Sequence, residues 1–399
     1  MLKKLRFYTA LLAARGAYAG VRLLNRSAGT SFAGMLALKI SPDFLAHCSK
    51  YIRKKNITVT GTNGKTTTTG LIAHMLKTAN QRVIHNLKGA NMIQGIANTF
   101  ALSILPFKRW DYSVIECDEA FLTQVYDYMK SDYLVVTNIS ADQTDRYGGP
   151  DATASLIKEA IAKKPDLKLI LNADDPIVST FGGKCISYGF NSADYAANVQ
   201  VFDDYSELKV FARGITFDFT VHLTGRYNAY NALAAITLAL ENGLNQQEIQ
   251  TAFNTYKPFS GRTEKRLING HPGVIQLIKN PAGANEVLKT VDLKSNIVIA
   301  INDNVGDGRD TSWLWDTNFE QLQGAEKPII ASGIRANDMA LRLKYAGIQN
   351  VIIEPSIKRA IEIAGRTSEN EKITILPAYT ALAEIIDFLP PSPHGRGPG

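Results

Sequence analysis

The segment at positions 60–67, Thr-Gly-Thr-Asn-Gly-Lys-Thr-Thr, limits the possible folds of this chain more than any other segment does. It follows a short β-branched run at 57–60 and opens a helical pattern that reaches about Lys77. A glycine-rich turn between a strand and a helix lets backbone amides and the positive helix end approach a polyphosphate. We therefore predict a phosphate-binding loop made of Gly61, Thr62, Asn63, Gly64, Lys65, Thr66 and Thr67.

Two side chains of this loop have predicted roles of their own. Lys65 would reach the outer phosphates, and the Thr66 hydroxyl would hold Mg²⁺. The alternative is a Gly/Thr turn that binds nothing. The strand before the segment and the helix after it favour the phosphate loop.

Short β-branched runs alternate with longer helical patterns, which is typical of a parallel α/β sheet. The predicted strands of the first series lie at 57–60, 82–85, 112–117, 133–138 and 168–172. Between 184 and 223 strand follows strand without a helix, so we predict a small antiparallel excursion there. A helix is predicted over 228–241, with Gly243 as its C-terminal stop.

A second α/β series begins near position 266 and predicts a Rossmann-like domain. Its predicted strands lie at 274–278, 297–301, 329–331, 351–353 and 373–376, and its helices at 337–345 and 379–388. The length of 399 residues suits two or three domains. We predict an N-terminal helical segment at 1–50, a central nucleotide-binding domain at 51–265, a C-terminal α/β domain at 266–389 and a disordered tail at 390–399.

The formal net charge of +7 indicates an anionic partner. No long basic run or basic–aromatic repeat accompanies it, so nucleic-acid binding is not predicted. Basic residues interrupt an apolar stretch at 5–24, whose longest uncharged run, 7–14, is too short to span a bilayer. We predict an amphipathic helix that packs on the protein body, with contact to a membrane surface as the alternative. Three scattered cysteines indicate a reduced, cytoplasmic protein, which this alternative would place at the inner face of the cytoplasmic membrane.

Further motifs follow the loop in a fixed order. They are Glu-Cys-Asp-Glu at 116–119, Thr-Asn-Ile at 137–139, Asp-Gln-Thr-Asp at 142–145, Asn-Ala-Asp-Asp at 172–175, Gly-Arg-Tyr-Asn-Ala-Tyr-Asn at 225–231 and Gly-Arg-Thr-Glu at 261–264. With the G-x-x-G-K-T spacing of the loop, this order resembles the Mur ligase and folylpolyglutamate synthase superfamily. The resemblance implies a Mur ligase-like ATPase domain that uses ATP and Mg²⁺.

The resemblance also implies roles for single residues. Glu116 is the first choice for an acidic Mg²⁺ ligand beside Thr66, and Glu119 is the second. A carboxylate that merely caps the next helix is the alternative. The family pattern implies that Asn172 contacts adenine and that Arg262 contacts the ATP phosphates. Gln143 stands where most Mur ligases have a metal-binding histidine, so the resemblance does not extend to a second metal site there.

Three segments of the C-terminal third, at 279–286, 302–316 and 332–339, are similar to the MurT family of these ligases. This likeness implies ATP-dependent amidation of the α-carboxylate of D-glutamate in the lipid II stem peptide, through an acyl phosphate. It implies a GatD-type glutamine amidotransferase as the partner that supplies ammonia. The implied process is peptidoglycan biosynthesis.

The segment at 302–316 follows a predicted strand, and open α/β sheets place their sites at the carboxyl ends of strands. We predict that Asp310, with Asp307 or Asp303 as alternatives, assists ammonia or orients the substrate, and that Arg309 binds an anion. Capping of a short helix by Asp310 is the alternative. Many MurT proteins carry a four-cysteine zinc ribbon in the central domain, but 194–222 contains no cysteine. No zinc is therefore predicted.

Two other functions stay open on the sequence alone. One is an amino-acid-adding ligase of the Mur or folylpolyglutamate type. The other is a non-catalytic scaffold that binds nucleotide and recruits an amidotransferase. Lys65, Thr66 and Glu116 are all present, which disfavours the scaffold.

Overall fold

A computed structural model describes residues 2–23, 29–86, 90–140, 148–202, 204–257, 262–304, 306–366 and 371–389. For residues 2, 29, 30 and 262–265 it describes the backbone alone. These residues form two compact units, one within Met1–Ile139 and Pro150–Tyr256 and one within Ser140–Gly149 and Lys257–Gly399. The domain limits expected from the sequence stay predictions, and the tail at 390–399 lies outside the described residues.

The first unit contains a mostly parallel sheet. Its strands are β1 (Ile52–Thr60), β2 (Val83–His85), β3 (Trp110–Glu116), β4 (Tyr133–Val136), β5 (Lys168–Asn172), β6 (Cys185–Gly189), β7 (Tyr195–Val201), β8 (Ser206–Ala212) and β9 (Ile215–Val221). Their order is β2-β3-β1-β4-β5-β6-β7-β8-β9. All neighbours from β2 to β7 are parallel, whereas β8 is antiparallel to both β7 and β9. The predicted parallel sheet with a small antiparallel excursion is confirmed.

Helices cover both faces of this sheet. They are α1 (Leu2–Leu23), α2 (Gly29–Ile40), α3 (Phe44–Ser49), α4 (Lys65–Thr78), α5 (Ile93–Ser103), α6 (Glu119–Tyr128), α7 (Pro150–Ala162), α8 (Arg226–Glu241) and α9 (Gln246–Thr255). β4 shows how the sheet separates two cores, because successive side chains of a strand point to opposite faces. Tyr133 and Val135 join the core of α4, α8 and α9, whereas Leu134 and Val136 join the core of α1–α3 and α5–α7.

The N-terminal helix packs on this second core. Phe7 is buried, and its ring stacks on His47 and Tyr51 at centroid distances of 5.3 and 5.8 Å. Arg15 donates from Nε to the carbonyl of Ala101 at 2.9 Å, which ties the helix to the last turns of α5. Among the described residues, no helix combines the length and the apolar character needed to cross a bilayer.

The second unit contains a smaller sheet. Its strands are β10 (Arg262–Ile268), β11 (His271–Gln276), β12 (Asn296–Ala300), β13 (Ile329–Ser332), β14 (Val351–Ile353) and β15 (Ile373–Pro377), in the order β10-β11-β15-β12-β13-β14. Only the β10–β11 pair is antiparallel among these described strands. The helices are α10 (Pro281–Leu288), α11 (Trp313–Asp316), α12 (Ala336–Tyr345), α13 (Ile357–Ala364) and α14 (Tyr379–Phe388). Two cores, one on each face, give the predicted Rossmann-like arrangement.

Candidate active site

The glycine-rich loop joins β1 to α4, as predicted, and neighbouring strands hold it in place. Gly61 and Gly64 have φ values of +119° and +84°, which favour glycine. A Cβ on Gly61 would lie 2.3 Å from Thr137 Oγ1, and one on Gly64 would lie 2.0 Å from Asn231 Oδ1. Both positions therefore exclude a side chain, on steric as well as conformational grounds.

The carboxyl end of β4 fixes the conformation of the loop. Thr137 Oγ1 donates to the carbonyl oxygen of Asn63 at 2.6 Å. Asn138 accepts from the Thr62 amide through its carbonyl oxygen, and from the Asn63 amide through Oδ1. Asn138 Nδ2 donates in turn to the Asn63 carbonyl at 2.9 Å. Thr137 and Asn138 thus position the loop, a role that the sequence motif alone did not assign to them.

Gly64 is the N-cap of α4, and no side chain caps the helix there. The amides of its first turn, which include those of Lys65 and Thr66, are therefore available for an anion. Thr66 is half-buried at the second position of the helix. Thr67 is buried one residue further on. This arrangement suits the phosphate chain of a nucleotide.

Lys65 is buried, and its ammonium group contacts three oxygen atoms. Nζ donates to the Gly61 carbonyl at 2.6 Å, to the Thr62 carbonyl at 3.4 Å and to Glu119 Oε1 at 2.9 Å. Burial alone would lower the pKa of Lys65, but the charges of Glu119, Asp118 and Glu116 outweigh it and raise this pKa. Lys65 therefore stays charged at neutral pH.

The three carboxylates of the acidic motif at 116–119 make different contacts. Asp118 is the N-cap of α6 and accepts from the Ala120 amide at 3.1 Å. Glu119 is the first residue of α6 and pairs with Lys65. Glu116 ends β3, is buried, and accepts from Asn91 Nδ2 at 3.2 Å through Oε1. The helix cap thus falls on Asp118, which leaves Glu116 and Glu119 as the Mg²⁺ candidates.

Asn86 and Asn91 hold Glu116 in place, and sequence reasoning missed both of them. Asn86 Nδ2 donates to the Glu116 carbonyl, and Asn86 Oδ1 accepts from the Glu116 amide, each at 2.8 Å. No motif spacing signals these contacts, because 25 and 30 residues separate the partners. The one signal that the sequence contains is an asparagine, Asn86, directly after a short strand at the carboxyl edge of the sheet.

Asn172 lies at the end of β5, and its side chain bonds to the protein. Nδ2 donates to the Thr137 carbonyl at 3.0 Å, and Oδ1 accepts from the Asp174 amide at 3.1 Å. Asp174 also accepts from the Tyr230 hydroxyl at 2.9 Å. Burial and this hydrogen bond raise the pKa of Tyr230 to about 12. Asn172 therefore shapes the neighbouring loop, and its predicted adenine contact stays a prediction.

An aromatic cluster next to Asp174 was also missed from the sequence. Phe190 and Tyr230 pack with ring centroids 4.0 Å apart, and the Arg226 guanidinium lies 4.8 Å from the Phe190 centroid. Arg226 and Tyr230 belong to the motif at 225–231, but Phe190 comes from the loop after β6. Aromatic rings packed beside a cation are suited to binding a planar base.

The three candidate aspartates of the second unit have different hydrogen-bond partners. Asp303 Oδ2 accepts from Arg335 Nη2 at 2.6 Å. Asp307 accepts from the amide and the hydroxyl of Thr380, at 2.8 and 2.5 Å, at the start of α14. Burial outweighs these hydrogen bonds and raises the pKa of Asp307. Asp310 Oδ1 accepts from the Ser312 amide at 2.8 Å, in the turn that leads into α11.

Two predicted site elements fall on residues that the structure does not fully describe. Arg262 begins β10, but its side chain is outside the description. The Asp-Gln-Thr-Asp motif at 142–145 lies outside the described residues. Their predicted roles stay predictions. Arg309 is exposed in the loop before Asp310.

The residues of the first unit fit ATP and Mg²⁺. The uncapped helix end and the Lys65 ammonium group offer positive charge to phosphates. Mg²⁺ needs oxygen ligands and commonly takes one or two carboxylates together with substrate phosphates and water. The Thr66 hydroxyl with Glu116 or Glu119 would supply the protein's part of such a set. Among the described residues, no group of three His, Cys, Asp or Glu side chains could hold a metal by itself.

Comparisons with known proteins support the same assignment. Residues 59–239 match the Mur ligase middle domain family, and residues 277–382 match the MurT ligase C-terminal family. The chain is 33% identical to the protein named lipid II isoglutaminyl synthase (glutamine-hydrolyzing) subunit MurT from Staphylococcus aureus strain COL, over 96% of this chain and 98% of that protein. The protein of the same name from Streptococcus pneumoniae R6 is 31% identical, over 95% and 96% of the two chains.

Solved structures show the same fold at low identity. MurF ligase from Thermotoga maritima in complex with ADP has a TM-score of 0.70 at 14% identity, over 91% of this chain and 83% of that chain. Folylpolyglutamate synthase from Mycobacterium tuberculosis, complexed with ADP and AMPPCP, has a TM-score of 0.68 at 17% identity, over 95% and 100% of the two chains. Family domains and near full-length relatives agree with the phosphate loop and the two sheets described above. The chain therefore belongs to the MurT family of the Mur ligases.

Proposed function

We propose that this chain is the ligase subunit of a lipid II isoglutaminyl synthase. It would use ATP to convert the α-carboxylate of D-glutamate in the lipid II stem peptide into the amide of D-isoglutamine. The observation that carries the proposal is the likeness to proteins named MurT along nearly the whole chain, including the C-terminal unit. The loop around Lys65 supports the ATP-dependent half of the reaction.

In the first step, an oxygen of the substrate carboxylate attacks the γ-phosphorus of ATP, and ADP leaves. The first-turn amides of α4 would bind the phosphates, and Lys65 would neutralise the charge that spreads over the transferred group. Thr66 and Glu116, or Glu119, would hold Mg²⁺, which neutralises and orients the phosphates when bound. The product of this step is an acyl phosphate.

In the second step, ammonia attacks the acyl carbon, inorganic phosphate leaves, and the nitrogen loses a proton to give the amide. A carboxylate near the ammonia could orient it and accept that proton. We assign this role to Asp310, which lies in the loop after β12 at the carboxyl edge of the second sheet, with Asp307 and Asp303 as the alternatives. Asp310 binds the backbone of a turn through Oδ1.

The ammonia would come from a GatD-type glutamine amidotransferase. The support is the name of the relatives, in which the MurT chain is a subunit of a glutamine-hydrolyzing synthase. We also propose that the chain meets its lipid-linked substrate at a membrane surface. The basic N-terminal helix supports this part of the proposal.

The decisive experiment combines the purified chain with lipid II in detergent micelles, ATP, Mg²⁺ and an ammonium salt. We expect ADP release that depends on lipid II, and a product whose mass shows exchange of one hydroxyl for an amino group. Glutamine should replace ammonium only when the amidotransferase is present. Product formation from a free amino acid instead of ammonia would identify an amino-acid-adding ligase. Nucleotide binding without turnover under all conditions would identify a scaffold.

The assignment of Asp310 is tested by comparing Asp310→Asn with Asp307→Asn. We expect Asp310→Asn to abolish amidation while ATP binding and the melting temperature stay unchanged. Asp307→Asn should lower the melting temperature, because Asp307 holds the first residues of α14. Full amidation by the Asp310→Asn variant would remove the catalytic assignment.

A further inference from the structure

The excess positive charge of the chain is concentrated at its N-terminus. The whole chain has 44 Lys and Arg residues and 37 Asp and Glu residues. Seven of the basic residues, and none of the acidic ones, lie within positions 1–42. The remaining 37 basic and 37 acidic residues balance, so the first 42 residues carry the entire net charge of +7.

The helix α1 has two apolar faces. Its buried side chains, Phe7, Ala10, Leu11 and Ala14, pack on the core of the first unit. A surface helix with one such face normally exposes polar residues on the opposite side. Here Leu5, Leu12 and Leu23 are 64%, 70% and 87% exposed, and their spacing of 7 and 11 residues places them in one stripe along the helix. Basic residues flank the stripe, with Lys3, Lys4, Arg6 and Arg22 all exposed.

Neighbouring elements add further apolar side chains. Phe32 and Met35 are about half exposed, one helical turn apart, on α2, which packs against α1. Phe107 is fully exposed in the loop after α5. Arg15 bonds to the Ala101 and Ile104 carbonyls at the end of α5, and so holds the start of this loop beside α1. We call Leu5, Leu12, Leu23, Phe32, Met35 and Phe107 the N-terminal face.

We propose that the N-terminal face docks on the surface of an anionic lipid bilayer. The large exposed side chains would enter the boundary between headgroups and acyl chains, and the flanking Lys and Arg residues would contact the headgroup phosphates. This docking rests on the proposed function, in which the chain meets its lipid-linked substrate at a membrane surface, and it names the residues that would make that contact. The charge distribution of the chain and the exposed side chains of the N-terminal face support it independently.

The positive charge around the N-terminal face favours a lipid bilayer over a protein surface as its binding partner. Positions 90–110, which include α5 and the loop with Phe107, also contain no Asp or Glu, but do contain Lys108 and Arg109. A second copy of this chain would bring a face of the same sign against it, and like charges repel. Lys is depleted at protein interfaces, whereas basic residues beside bulky apolar ones are typical of helices that lie on membranes.

Sedimentation of the full chain with sucrose-loaded vesicles tests the proposal. The vesicles contain either phosphatidylcholine alone or phosphatidylcholine with phosphatidylglycerol. We expect binding to the anionic vesicles, weaker binding at high salt, and little binding to the neutral ones. In the double variant Leu12→Glu/Leu23→Glu, partition onto anionic vesicles should fall at least about tenfold. The matched control, Ile215→Glu/Leu267→Glu, changes two residues of similar exposure and the same net charge, and should bind like the wild type.

A second readout does not depend on the double variant being folded. Phe107→Trp places an additional indole at an exposed position. Compared with the wild type, the tryptophan fluorescence of this variant should shift to shorter wavelength when anionic vesicles are added, but not when neutral vesicles are added. The proposal would be overturned if the wild type did not bind anionic vesicles, or if both double variants bound them equally. A wild-type dimer that dissociates in the Leu12→Glu/Leu23→Glu variant would also overturn it. So would loss of amidotransferase binding in the first variant with vesicle binding intact. Amidation of lipid II in detergent micelles is measured separately, so its failure counts against the proposed function alone.

Discussion

At the scale of single residues, Lys65 shows how the site balances its charges. The ammonium group is removed from water, which costs free energy, but two loop carbonyls and Glu119 surround it. Removing one member of such a buried pair leaves the other without compensation. Lys65 is therefore coupled both to the stability of the first unit and to its chemistry.

This coupling predicts a pH dependence for Lys65→Met. The pKa of Lys65 is higher in the folded chain than its usual value of 10.5. Its contribution to stability is thus complete below pH 10.5 and is lost as the pH rises toward the folded pKa. We expect the melting temperature of the wild type to exceed that of Lys65→Met by a constant amount at neutral pH, and the difference to shrink above about pH 10.5. ATP turnover should fall at least about 100-fold.

Lys77 provides the control for this prediction. It lies in the last turn of the same helix, but burial lowers its pKa. The difference in melting temperature between the wild type and Lys77→Met should therefore change with pH in the opposite direction. Parallel pH curves for the two variants would contradict the assignment of the Lys65 partners.

A comparison of two glycines separates backbone strain from close contact. Gly64 and Gly214 have φ values of +84° and +76°. A Cβ on Gly64 would lie 2.0 Å from Asn231 Oδ1, whereas nothing lies within 4 Å of one on Gly214. Alanine at either position should cost about 1 kcal/mol from strain. Only Gly64→Ala should also abolish binding of a fluorescent ATP analogue, and equal loss in both variants would refute the steric argument.

The sequence was informative about residues inside short motifs and silent about contacts between distant ones. Spacing places Lys65 and Thr66 at the start of α4, because a strand, a glycine turn and a helix are local features. The contact of Asn231 with the glycine loop depends on how α8 packs beside α4. Such packing arises from the tertiary fold and has no local signal in the sequence.

At the scale of elements, α1 depends on a few buried aromatic contacts. Phe7 is buried among Phe44, His47 and Tyr51, with ring centroids 5.3 to 5.8 Å away. Phe7→Ala should lower the free energy of unfolding by about 3–5 kcal/mol. Leu5→Ala, in the same turn but 64% exposed, should change it by less than about 0.5 kcal/mol. Urea unfolding measures both, and similar losses would show that α1 does not pack through Phe7.

Strands that are buried on both faces were the easiest elements to predict. The expected strand at 168–172 has the observed bounds of β5, because its apolar run is continuous. β10 was not predicted, since Arg262–Ile268 contains three basic residues and an acidic one. Hydrogen bonding to β11 stabilises β10 as a strand, although its own side chains do not indicate one. The predicted strand at 133–138 ends at Val136, because Thr137 and Asn138 turn to the glycine loop.

At the scale of the whole molecule, each compact unit has its own hydrophobic cores. Such units can unfold in separate steps. Only the first contains the glycine loop, so ATP with Mg²⁺ should stabilise this unit most, by about 2.7 kcal/mol at 100 times the dissociation constant. The unfolding temperature of its transition should rise accordingly. Scanning calorimetry measures this. The shift should disappear in Lys65→Met, and an equal shift of all transitions would contradict it.

The pairing of Lys65 with Glu119 has a consequence for selectivity. The positive charge of Lys65 at the loop is already balanced by the Glu119 carboxylate 2.9 Å away. A bare anion such as inorganic phosphate would have to separate that pair and leave Glu119 uncompensated. When a nucleotide binds together with its own divalent cation, its phosphates can pair with Lys65. The cation then becomes the new counter-ion of Glu119. The Lys65–Glu119 pair should therefore favour a nucleotide bound with a divalent cation over a simple anion.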